Sequence, residues 1–259
     1  MEIIIQPDAE SASLRAAQCV ARLIRAKPDA VLGLATGGTP LRLYQELVRL
    51  HRSEGLDCRR VRTFNLDEYY GLAPTHPASY YSFMHQHVFD PLHIPPENVH
   101  LLDGQTTDVP GHCTAYEKSI RNLGGIDLQI LGVGSDGHIG FNEPMSSLAS
   151  RTRIKTLTPQ TRADNARFFD SPAAVPHHVL TMGIGMILES RECLLLAFGE
   201  AKAEMIAAMV EGPLTAMVPA SALQLHPVVR VFIDKAAASR LQKTDYYRWV
   251  YEHKPAWQR

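Results

Sequence analysis

The sequence predicts an α/β fold: a single domain spanning 1–259, with an open, mostly parallel sheet and helices on both faces. Three observations carry this expectation. Short apolar runs alternate with amphipathic segments, the pattern of stacked strand–helix units. Several runs stop abruptly at glycines or carboxylates, as buried strands do when they feed loops. With 259 residues, 45% of them hydrophobic, the chain can also bury one substantial core.

Glu2 to Gln6 reads as a strand and Ala9 to Ala26 as a helix stopped by Pro28. Val31 to Ala35 is a second strand. Thr39-Pro40 then supplies an N-cap with proline at the first helical position, opening a helix to about Arg52. Val61 to Leu66 is a third strand, running into Asp67-Glu68-Tyr69-Tyr70. Ser79 to Phe89 and Thr114 to Asn122 read as helices, and the apolar run Ile126 to Leu131 as a strand. Further strands are expected near Val179–Met182, Cys193–Phe198 and Val228–Ile233, with helices at Ala201–Val210 and Pro219–Leu225. The Pro/His-rich stretch Ser171 to His178 is the best candidate for a mobile loop or lid.

A net charge of −1 gives no electrostatic reason to expect nucleic acid or an anionic membrane surface. Cys19, Cys58, Cys113 and Cys193 show no CxxC spacing, which suits a reducing compartment better than a zinc site or disulfide framework. No apolar run approaches the ~18 residues of a membrane span, and the N-terminus lacks a signal-peptide pattern. A cytoplasmic protein is expected.

Three loops fall where strands end, the edge at which open α/β sheets bind ligands. Thr36-Gly37-Gly38-Thr39-Pro40 joins a strand to a helix start, where free backbone N–H groups and the helix dipole suit a phosphate or carboxylate. The loop lacks the GK[ST] of a nucleotide P-loop. Asp67-Glu68 offers a carboxylate base with a second acid to fix or tune it, or simply two solvated loop acids. Gly132 through Pro144 (GVGSDGHIGFNEP) sets His138 among glycines, with Asp136 two residues before and Glu143 five after. Histidine exchanges protons near neutral pH, and an adjacent carboxylate orients it. The same loop formally matches GxGxxG, but Asn142-Glu143-Pro144 interrupts the helix a dinucleotide site needs. His85 and His87 lie two apart in a helical segment and do not share a face, so no metal site is expected. Lys202 and Arg167 are cationic anchors. Arg153 and Lys155 alternate around Ile154 and are either a solvated strand face or a second anion site.

Taken together, these segments resemble the glucosamine-6-phosphate deaminase family over nearly the whole chain. The match rests on Leu32–Pro40, Thr63–Tyr69, Gly132–Pro144, Ser146–Thr156 and Leu223–Pro227. The resemblance implies conversion of glucosamine 6-phosphate and water to fructose 6-phosphate and ammonia, without metal or other cofactor. His138 would open the sugar ring, with Asp136 and Glu143 orienting and tuning it, and Asp67 would move a proton between C2 and C1 through an enolamine. Thr36, Gly37, Gly38, Thr39, Arg167 and Lys202 match the family's phosphate-binding positions. Ser147, Arg153, Lys155 and Tyr247 match residues that, in allosteric members, bind N-acetylglucosamine 6-phosphate between subunits of a hexamer. Ala35 departs from the proline of some members, and Met217-Val218-Pro219-Ala220 from a more usual Met-Trp-Thr-like segment. The alternatives are a 6-phosphogluconolactonase-like hydrolase and a non-catalytic sugar-phosphate sensor.

Overall fold

The computed structural model describes residues 1–255. The chain opens with β1 (Glu2–Gln6) and α1 (Ala9–Ala26), as expected. Asp8 caps α1 by accepting from the Ser11 N–H at 2.7 Å, and Ala12, Ala16, Val20 and Ile24 form its buried stripe. β2 (Val31–Leu34) follows. α2 (Gly38–Glu54) begins one residue before Thr39, so Thr39 is not its cap. Gly37 takes that position with φ of 95°, and no side chain closes the first turn.

β3 (Arg62–Asn65) leads into β4 (Asp67–Tyr69), a short strand where the sequence reads as a loop. α3 (Tyr80–Met84) runs on as a π-helical turn over His85–Phe89, and β5 (Val99–His100) follows. α4 (Val109–Asn122) starts earlier than expected because Asp108 caps it and Pro110 occupies its first turn. Then come β6 (Leu128–Gly132), β7 (Arg153–Thr156), α5 (Pro159–Asn165), β8 (His178–Thr181), α6 (Ile184–Leu188) and β9 (Cys193–Ala197). The described elements end with α7 (Ala203–Val210), β10 (Val229–Asp234) and α8 (Thr244–Glu252). Pro219–Leu225, expected as a helix, is a 3₁₀ helix.

Seven strands form one wholly parallel sheet in the order β1-β10-β9-β6-β2-β3-β5. All of β2 and β9 is buried, as strands covered on both faces must be. Connections run one way from β1 through β2 and β3 to β5, then back through β6 and β9 to β10. Right-handed crossovers therefore place α1 and α2 on one face and α4 and α7 on the other. The direction reverses between neighbours β2 and β6, and a crevice opens outside the strand ends at such a switch point.

A second, antiparallel sheet, β4-β8-β7, stands over that crevice. The chain changes sheets at Leu66, whose N–H donates to Leu34 of β2 and whose carbonyl accepts from Met182 after β8. This crossing carries Asp67 out of the large sheet and over the strand ends. Among the described residues, no helix is long and apolar enough to cross a membrane.

Candidate active site

The carboxyl ends of β9, β6, β2 and β3 are neighbours, and the loops leaving them wall a cavity of about 510 Å³. Thr36, Gly37, Gly38, Thr39, Asp67, His138, Arg167 and Lys202 all line it. Every residue expected to bind phosphate is thus brought together with two of the expected catalytic residues. The α2 N-terminus needs glycine at position 37, since φ of 95° is strained for any side chain. Beyond the adjoining backbone, no atom lies within 4 Å of where a Cβ of Gly37 or Gly38 would stand, and no side chain caps the first N–H groups of α2, which suits this end of the helix to an anion. Lys202 enters from the 3₁₀ turn after β9, and Arg167 from the turn after α5. Burial pushes the Lys202 ammonium below its ordinary pKa, and the nearby charges of Asp164 and Asp136 oppose that shift.

Asp67 lines the cavity and is 5% exposed. Burial raises its carboxyl to about 8, and the charge of Glu68 adds to the shift. Glu68 itself is not in the cavity lining. Its Oε1 accepts from the Tyr69 and Tyr80 N–H groups at 2.8 and 3.0 Å, and its Oε2 from Tyr81 at 2.8 Å. The second acid is therefore a clasp that ties β4 to the first turn of α3. Glu68→Ala leaves those three donors without their acceptor and should cost about 1–3 kcal/mol. Urea unfolding measures this, and an unchanged midpoint would show that the clasp adds nothing to stability.

His138 Nδ1 donates to Asp136 Oδ1 at 2.6 Å, and Glu143 Oε2 lies 3.8 Å from the same nitrogen. With Nδ1 committed, Nε2 is the ring nitrogen left for a substrate. The ring folds over Gly134, where a Cβ would fall 2.3 Å from it, so the loop depends on glycine there. Asp136 and Glu143 stand behind the histidine, outside the cavity lining. Burial raises both carboxyls. At Asp136 the hydrogen bond and charge of His138 outweigh it and hold the group well below the carboxylate range. Glu143 stays raised, by burial first and then by Asp136, against bonds from Thr161 and Thr158. Asp136 is thus the ionised partner of His138, and of the two carboxyls Glu143 holds its proton more firmly. Donor atoms of the three residues lie within 4.8 Å of one another, a spacing that could admit a metal ion. Metal at Nδ1 would have to displace the proton shared with Asp136. No nucleotide-type helix follows Gly132, in keeping with the sequence.

The four residues matched to an activator site are not gathered within one chain. Ser147 is exposed in the loop before β7. Arg153 turns inward and donates to Asn142 Oδ1 at 2.9 Å and to the Arg151 carbonyl at 3.0 Å, so it is not a solvated cation. Lys155 sits two residues along the same strand. Tyr247 donates to Glu211 Oε1 at 2.9 Å on α8, which packs against β1 at the far edge of the large sheet.

Other members of the site are not evident from sequence. Tyr80, Phe141, Ser135, Asp164 and Phe168 line the cavity. The Thr158 N–H and hydroxyl donate to Glu143 Oε1 at 3.2 and 3.4 Å while Thr158 caps α5. Thr158-Pro159 carries the same cap signature as Thr39-Pro40, a signal that could have revealed that helix. Thr161, Asp164, Asn165, Arg167 and Phe168 wall the cavity, whereas Ser171–His178, the stretch expected as a mobile loop or lid, does not. Arg162 ties the latter stretch down through the Val175 carbonyl.

Residues 7–231 match the family described as glucosamine-6-phosphate isomerases/6-phosphogluconolactonase. The chain belongs to this family. Among its relatives, a glucosamine-6-phosphate deaminase of Streptomyces coelicolor is 55% identical, covering 100% of this chain and 99% of that protein. One from Arthrobacter sp. (strain FB24) is 54% identical with the same coverage. A solved structure of a monomeric glucosamine-6-phosphate deaminase superposes with a TM-score of 0.91 at 45% identity, covering 93% of this chain and all of that one. The 6-phosphogluconolactonase of Trypanosoma brucei, at 22% identity and a TM-score of 0.72, covers 93% of this chain and 98% of that one and shares the fold.

Proposed function

We propose that this chain, acting as one domain, is a glucosamine-6-phosphate deaminase that converts glucosamine 6-phosphate and water to fructose 6-phosphate and ammonia. One observation carries the reading beyond family membership. A buried carboxyl, Asp67, and a carboxylate-held histidine, His138, line the same cavity as an uncapped helix N-terminus and two cations. The phosphate would sit on the Thr36–Thr39 backbone, Lys202 and Arg167. His138 Nε2 would pass a proton from the anomeric hydroxyl to the ring oxygen, opening the sugar. Asp67 would then take the C2 proton to give an enolamine and return it at C1. The resulting iminium at C2 would add water and release ammonia, leaving the ketose. Ammonia release from glucosamine 6-phosphate tests this reading. Hydrolysis of 6-phosphogluconolactone without ammonia would replace it with the lactonase, and binding without turnover with a sensor.

The resemblance carries a regulatory proposal too: N-acetylglucosamine 6-phosphate activates by binding Ser147, Arg153, Lys155 and Tyr247 between subunits of a hexamer. Because Tyr247 is engaged with Glu211 away from β7, the tyrosine of such a site would come from a neighbouring subunit. The expected result is a hexamer by light scattering, and activation that Lys155→Ala abolishes while basal activity persists. A monomer that ignores the compound, like the monomeric relative in assembly, would sink this half alone.

A further inference from the structure

The phosphate corner contains a carboxylate. Asp164, at the end of α5, lines the cavity together with Arg167 and Lys202. Both of its oxygens are held: Ser135 Oγ donates to Oδ2 at 2.9 Å and Gln160 Nε2 to Oδ1 at 2.8 Å. Ser135 belongs to the glycine-rich loop after β6, so its bond spans two walls of the cavity and fixes where the negative charge stands. Among the charges acting on the Lys202 ammonium, that of Asp164 is the largest.

We propose that Asp164 is a resident anion of the phosphate corner, which competes with the sugar phosphate for Lys202 and Arg167 and so sets substrate affinity. This rests on the phosphate-site reading above. A like charge beside an incoming phosphate weakens its binding, and solvent at the exposed Asp164 screens the effect to a modest size. Binding energy withheld in this way from bound substrate and transition state alike leaves the chemical steps untouched and moves KM alone.

Asp164→Asn removes the charge and keeps an oxygen able to accept from Ser135. The expected result is a KM for glucosamine 6-phosphate, and an inhibition constant for inorganic phosphate, each lowered about three- to fivefold, with kcat unchanged. Values that stay the same or rise would overturn the proposal, since a merely structural Asp164 would lower the melting temperature without tightening phosphate. Lys202→Ala is the control for the underlying reading and should raise both constants. If it does so while Asp164→Asn changes neither, only the resident-anion proposal fails. If Lys202→Ala changes neither, the phosphate corner itself is misplaced and both readings fall.

Discussion

Asp67→Asn should lower kcat for ammonia release about 10³-fold, within the range a general base contributes, while binding of substrate persists. Exchange of the C2 proton with solvent deuterium, followed by NMR, should vanish in parallel. Retained exchange would move the base elsewhere. A carboxyl raised to about 8 is largely protonated at neutral pH and cannot act as a base until it ionises. The substrate's C2 ammonium provides the remedy, because a cation beside a buried carboxyl favours its charged form. Accordingly kcat/KM, which reports the free enzyme, should climb with pH to about 8, and kcat should climb at lower pH. Coincident profiles would mean that the ammonium does not tune Asp67.

The same group links stability to pH. Its folded pKa of about 8 exceeds the ordinary value of 3.8, so the folded state binds the extra proton. Stability therefore falls as pH rises between those two values, at a rate on the order of 1.4 kcal/mol for each pH unit crossed, or about 6 kcal/mol over the whole span. The asparagine variant escapes this loss. Its advantage in urea unfolding should be near zero at pH 4 and widen up to about pH 8. An advantage that is flat with pH would show that Asp67 is not the group responsible.

His138→Gln should reduce kcat on the cyclic substrate about 10²–10³-fold, the share of a positioned acid–base group. An open-chain analogue, which needs no ring opening, should lose far less. Equal losses on both would refute the ring-opening role and make the histidine a general part of the site. Glutamine preserves a polar side chain of similar reach but cannot carry a proton between two oxygens. Asp136 loses the 2.6 Å bond from the His138 ring in this variant and keeps the one from the residue-138 backbone N–H at 3.2 Å.

Much of this site is legible in the chain itself. Gly37, Gly134 and Asp67 announce themselves because an apolar strand that ends in glycine or acid must turn at the sheet edge. The glycines mark strained or crowded backbone, which is a local property. The role of Glu68 is hidden because its partners, the N–H groups of Tyr80 and Tyr81, lie 12 and 13 residues along the chain. Thr158 supports Glu143 from 15 residues away, and Tyr247 reaches Glu211 across 36. No spacing rule connects such pairs.

The sequence alone determined the parallel strand–helix order, the three chemistry-bearing loops and the cations that complete them, since periodicity, caps and glycine placement act over a few residues. Tertiary structure alone decided that Asp67 rides on a second sheet above the strand ends, that one of two adjacent acids lines the cavity while the other is a clasp, and that Asp164 lines the cavity with Lys202 and Arg167. The reason is physical. A carboxyl's role follows from its desolvation and its hydrogen-bond donors, and both are supplied by distant segments that meet only when the chain folds.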